Sequence, residues 1–211
     1  MKKILKMLLI FLIVVLIKLV STFMINGIII FNYNHGIYNS MLVKSLYFLN
    51  ISEPYIAYYN EGNIMYKKKD YDGAIKKYKE AISLNPPHDK VCDVRINLAM
   101  AMINNIDINN YNEAYDTLEE AIYVLYKDKC AGIDGDNKEA QELEAEIEQL
   151  KEELNNNSNE KNNTEKKEPE EEESEVEEEL KEIEKNSNGN RQEELNEYEN
   201  MGGDYYSGKN W

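Results

Sequence analysis

The sequence is poor in the residues that carry most catalysis and metal chemistry, with 2 His, 2 Cys, 1 Trp and 4 Pro among 211 residues. His35 and His88 are the only histidines and neither pairs with a cysteine at ligand spacing, so no metal site is expected. No Gly-rich phosphate loop, no G-x-S-x-G and no H-E-x-x-H occurs. Catalytic residues, cofactors and a small-molecule substrate are therefore not expected, and the chain reads as a non-enzyme. Positive charge is scarce as well: 24 Lys+Arg stand against 40 Asp+Glu, a formal net charge of −16. Nucleic-acid binding needs a segregated basic footprint, which this chain lacks.

What is present divides into three materials. An apolar head is followed by a mixed middle and an acidic tail, residues 156–211, where 18 Asp+Glu face 7 Lys+Arg. Only the middle, about 100 residues, has the balance of apolar and polar surface for one small folded domain.

The head opens MKKILKMLLIFLIVVLIKLVSTFM, with Lys2, Lys3 and Lys6 ahead of an uncharged run from Met7 to Ile17. From Ile4 to Met24, at 1.5 Å per residue, a helix spans a hydrocarbon core of about 30 Å, with Lys6 and Lys18 able to snorkel at its ends. A cleaved secretory signal is the competing reading, but Val20, Ser21 and Thr22 make a poor cleavage site. The expectation is an uncleaved transmembrane anchor over residues 1–25. Lysines on the near side, and none from Leu19 to Val43, place the N-terminus in the cytoplasm and the rest outside, as a single-pass cell-membrane protein.

In the middle, apolar or aromatic residues recur at Tyr55, Tyr58, Tyr59, Gly62, Met65 and Tyr66, then at Tyr71, Ala74, Ile75, Tyr78, Ala81 and Ile82. Each set lies on one face of a helix, the break falls at Lys69-Asp70, and Pro86-Pro87 ends the second helix. Gly62, Ala74 and Ala81 sit where two antiparallel helices approach most closely. These positions resemble the tetratricopeptide (TPR) repeat, whose 34-residue pattern has small, aromatic and Pro positions at fixed offsets. Glu61, at a position usually aliphatic, is the clear departure. A second copy, residues 91–127, carries Leu98, Ala99, Met102, Tyr111, Ala114, Leu118 and Ala121 in register if three extra residues are allowed in NNIDINN. A degenerate copy over 26–54 is bracketed by Gly36, Tyr38 and Pro54, giving a TPR-like domain over 26–130 of three stacked units.

More narrowly, the anchor, the degenerate repeat, EP-x-x-x-Y-N-x-G-N and C-x-V-R-I-N-L-A resemble the small membrane-anchored TPR proteins that accompany von Willebrand A-domain proteins in bacterial aerotolerance-type gene clusters. That resemblance implies a protein partner rather than an activity. TPR units present their first helices to a concave groove, so Ile56, Tyr59, Asn63, Tyr66 and Lys67, with Ile96, Asn97 and Met100, are the implied contacts. Peptide-carboxylate clamps of this family have asparagines at the positions of Asn63 and Asn97, but a lysine where this chain has Tyr59.

Cys92 and Cys130 fall at the same end of one antiparallel pair and are expected to oxidise outside the cytoplasm. Glu61 and Arg95 are charges at normally apolar positions on neighbouring first helices, and an ion pair between them would account for both. DGD at Asp134–Asp136 lacks the loop a calcium site needs, so Asp136 is read as an N-cap with Glu139 completing a capping box.

Beyond it, Ala140, Leu143, Ile147, Leu150 and Leu154 form a heptad seam over 136–155, suited to a capping or coiled-coil helix. Residues 156–211 are expected to be disordered, with a transient helix at Val176, Leu180 and Ile183, and with Tyr205, Tyr206 and Trp211 as a terminal docking peptide. The fold class is all-α: a transmembrane helix, a short TPR helical-hairpin array, a heptad-patterned helix and an acidic tail. The expected function is a membrane-anchored protein-interaction scaffold, with a chaperone-like assembly factor for exported envelope proteins as the alternative.

Overall fold

An unbroken helix of 33 residues, α1 (Lys2–Asn34), opens the computed structural model, which describes residues 2–50, 52–107, 110–161, 178 and 180–186. All secondary structure among the described residues is helical. At about 50 Å, α1 is longer than a membrane crossing needs. It runs without a break from the expected span into the first helix of the degenerate repeat, which the sequence places almost continuous with the anchor. The large apolar side chains from Ile4 to Val20, Val15 excepted, are exposed, and the helix is long and apolar enough to cross a membrane.

The chain divides into two units, one reaching Pro86 and the other starting at Pro87. In the first, Gly36 takes φ +71, a conformation open to glycine without a Cβ penalty, and reverses the chain after α1. Asn39 caps α2 (Ser40–Leu49), its side chain accepting from the Met41 amide at 3.0 Å. Helix α2 returns along the distal part of α1: Thr22 Oγ1 donates to the Leu49 carbonyl at 3.3 Å, and Ile29, Val43 and Leu46 are buried. Asn50 then shapes the turn into α3 (Tyr55–Lys67), accepting from the Glu53 amide at 3.3 Å.

Helices α3 and α4 (Tyr71–Ser83) form the most extensive helix pair in this unit. Asp70 caps α4 by accepting from the Gly73 amide at 3.1 Å, and Tyr66 meets Tyr71 edge-on across the turn. The crossing depends on Gly62, because a Cβ there would lie 2.6 Å from Cε1 and 2.7 Å from Cδ1 of the buried Tyr78 ring. Gly62→Ala should therefore destabilise the chain by about 2 kcal/mol, within the range for over-packing. Denaturant unfolding checks this. Adding Tyr78→Leu should recover part of the loss, whereas Tyr78→Phe, which keeps the clashing ring, should not. An unfolding midpoint unmoved by Gly62→Ala would mean the two helices part without cost.

In the second unit, α5 (His88–Ile103) begins three residues before the expected repeat start and pairs with α6 (Tyr111–Tyr126). A 3-10 turn, Lys127–Lys129, leads to a loop and then α7 (Lys138–Lys161). Ala140, Leu143, Ile147, Leu150 and Leu154 are all buried, and α7 packs along α6 and α5. Asn137, not Asp136, supplies the cap, accepting from the Ala140 amide at 2.9 Å. The Asp136 carboxylate is turned instead toward His88.

Of the acidic tail, residues 156–161 continue α7, and 180–186 are helical where the sequence places a transient helix at Leu180 and Ile183, with Ile183 buried and Asn186 Nδ2 donating to Glu146 at 3.3 Å. Burial pushes the Glu146 carboxyl above its ordinary range, with the charges of Glu142 and Glu182 adding to it. Val176, Tyr205, Tyr206 and Trp211 lie outside the described residues.

Candidate functional site

The helical period places Ile56, Tyr59, Asn63 and Tyr66 on α3 and Ile96, Asn97 and Met100 on α5, and all seven are buried, at 1–6 % exposure. Lys67 is half-buried, with its ammonium 5.9 Å from the Tyr33 ring centre. These seven expected groove contacts are thus closed to solvent in this structure. Asn63 is part of the packing: its Oδ1 accepts from the Tyr78 hydroxyl at 2.8 Å inside the α3–α4 pair.

Glu61 and Arg95 do not pair with each other; each finds a nearer partner. Glu61, 4 % exposed, accepts a hydrogen bond from Tyr47 of α2 and an ion pair from Lys77 Nζ of α4 at 3.1 Å. Lys77 also reaches Glu80 at 3.0 Å and the Tyr47 hydroxyl at 3.4 Å. Its ammonium lies 5.3 Å from the centre of Tyr58, whose ring stands edge-on to Tyr47. Burial works against the Lys77 charge, but hydrogen bonds to Glu80 and Glu61 outweigh it and hold the ammonium above the usual lysine range. Burial, reinforced by the Glu61 hydrogen bond and charge, pushes the Tyr47 phenol well up. Three helices thus meet at one buried carboxylate. Arg95 turns to the chain beyond α6, its Nε donating to Asp128 at 2.8 Å and its other nitrogens reaching Asp128 and the Val124 carbonyl.

Cys92 of α5 and Cys130, after the 3-10 turn, are joined by a disulfide and both are buried. The loop they hold carries Ile133, fully exposed, and its neighbour Gly132 lies against the Tyr126 ring of α6, a Cβ there falling 3.3 Å from Tyr126 Cδ1; Tyr123 and Tyr126 are 58 % and 47 % exposed. Glu144 fastens this edge from α7, accepting from the Tyr126 hydroxyl at 2.6 Å and from the Gly132 amide at 2.9 Å. That hydrogen bond, with some burial and the charges of Glu144 and Glu148, pushes the Tyr126 phenol up to about 12. Lys127 Nζ sits 4.3 Å from the centre of the Tyr123 ring. Sequence reasoning missed this edge. Its signal was present: Tyr123 and Tyr126 fall three apart on α6, outside the buried set Leu118, Ala121, Ile122 and Leu125.

Residues 55–88, helices α3 and α4 with their flanks, match the tetratricopeptide repeat family. No curated protein and no solved structure matches the chain. A repeat of this kind implies a protein–protein interaction module.

Proposed function

We propose that this repeat-bearing chain is a membrane-anchored scaffold that holds a protein partner at the outer face of the cell membrane. The observation that carries the reading is the continuity of α1: one helix exposes about 20 apolar residues and then, without a linker, becomes the first helix of the α1–α2 hairpin. A domain mounted this way is held at a set height above the bilayer, which suits positioning rather than diffusion. Lys2, Lys3 and Lys6 at the start favour a cytoplasmic N-terminus. A disulfide between Cys92 and Cys130 suits an oxidising exterior.

The partner class is a von Willebrand A-domain membrane protein, as the sequence resemblance implies. The edge formed by Tyr123, Tyr126 and Ile133 is its contact surface, because exposed aromatics beside a cation are the residue types that concentrate binding energy. Protease added to cells stripped of their wall should digest the repeats while the N-terminal lysines stay protected, and the intact chain should need detergent for extraction. Chain taken from such membranes should bring down one partner at a fixed ratio. Protection of residues 55–130 would sink the topology, and a broad set of weakly held clients would sink the scaffold.

A further inference from the structure

His88 and Cys92 stand four apart on α5 and therefore share one face of its first turns, a ligand spacing that is invisible when only zinc-finger motifs are sought. Asp136 closes on them from the loop before α7: His88 Nε2 lies 3.0 Å from both carboxylate oxygens. One ligand atom from each of His88, Cys92 and Asp136 falls within 4.8 Å of the others. Cys130 is bonded to Cys92, so its sulfur belongs to the same spot. The loop is shaped for this convergence by the backbone, the Asp136 amide donating to the Lys129 carbonyl and the Asn137 amide to the Cys130 carbonyl, both at 3.1 Å. The sulfurs are buried, while His88 and Asp136 remain half open to solvent, leaving a path for an ion.

We infer that, when the disulfide is reduced, Cys92, Cys130, His88 and Asp136 form a four-ligand zinc site, so the same two points of the chain are linked either by a sulfur–sulfur bond or through a metal. Reduction by a dithiol breaks the bond between the sulfurs and gives two thiols, the dithiol leaving as its own disulfide. Zinc then binds both sulfurs as thiolates, releasing two protons, and sits between His88 Nε2 and Asp136, the imidazole hydrogen moving from Nε2 to Nδ1 through solvent so that the ring binds as the neutral ligand. The Cα atoms of the cysteines are 5.3 Å apart. Side-chain rotation alone can separate the sulfurs to the roughly 3.8 Å edge of a tetrahedron with metal–sulfur distances near 2.3 Å. Two thiolates, an imidazole and a carboxylate suit zinc over the hard cations calcium and magnesium, which prefer oxygen alone.

The test uses the full chain in detergent, reduced with a phosphine that does not compete for metal, and titrated with zinc alone or with cobalt as a spectroscopic substitute. The reduced chain should take up one zinc per chain, shield both thiols from alkylation, and give with cobalt the intense visible bands of a tetrahedral, sulfur-ligated ion. The oxidised chain should take up none at the same concentration. His88→Ala and Asp136→Ala, at exposed positions that leave helicity unchanged, should each weaken zinc binding by about tenfold or more. Equal uptake by the oxidised chain, a pale octahedral cobalt spectrum, or an affinity indifferent to both substitutions would overturn the site.

Discussion

Lys77→Ala should destabilise the full chain by about 3 kcal/mol, the low end of what breaking a buried ion pair costs, because Lys77 still meets water over a fifth of its side chain. The reason lies with Glu61 rather than with the lysine. Glu61 is 4 % exposed and its carboxylate is held by Lys77 and the Tyr47 hydroxyl, so removing the cation leaves a charge enclosed with one neutral donor. The double variant Glu61→Leu with Lys77→Met should recover most of the loss, since replacing both members of a buried pair by apolar side chains is often neutral. It also restores an aliphatic residue where TPR sequences usually have one. Denaturant unfolding of the two variants beside the parent separates the possibilities. A Lys77→Ala chain within 0.5 kcal/mol of the parent, about the size of an ordinary surface substitution, would show that water or another donor already satisfies Glu61.

Opening the link between Cys92 and Cys130 should lower stability by about 4 kcal/mol, again in the full chain and with a chelator present so that no metal replaces it. The two cysteines are 38 residues apart, so the bond removes a large share of the freedom of the unfolded loop that contains α6. Cys92→Ala with Cys130→Ala, melted beside the oxidised parent, reads the effect without reductant. Equal melting temperatures would mean that packing of α5, α6 and α7 holds this part of the chain without the link. A melting temperature that recovers when zinc is added to the reduced parent, but not to the double alanine variant, would tie this result to the four-ligand site.

Most of the helical architecture was legible because it is written in local periods. The set from Tyr55 to Ile82 gives both helices of the repeat and the turn at Lys69-Asp70, and the structure starts α3 at Tyr55 and α4 at Tyr71. Gly62 was readable as a point of close approach, since a small residue amid aromatics at that offset has few other uses. The exposure of the expected groove contacts was not readable. A helical period says which side chains face the partner helix, but it carries no information on whether the opposite face is covered, and Tyr59, Ile96 and Met100 prove to be enclosed. The pairing of Glu61 was misread for a related reason: Arg95 attracted notice as a second anomalous charge, while Lys77, ordinary in sequence, reaches Glu61 from the adjoining helix.

By itself, the sequence determined that this chain is all-α, that its first helix is long and apolar enough to cross a membrane, and that residues 55–88 form a TPR hairpin. These properties follow from residue composition and from spacings of three and four, which act within one helix or between neighbours in the chain. Tertiary structure alone decided that Glu61 is held by Tyr47 and Lys77, that Asp136 faces His88 instead of capping α7, and that Tyr123, Tyr126 and Ile133 are exposed. Each of those outcomes depends on distances between side chains on different elements and on how much water the finished packing excludes, and neither quantity exists until the helices have met.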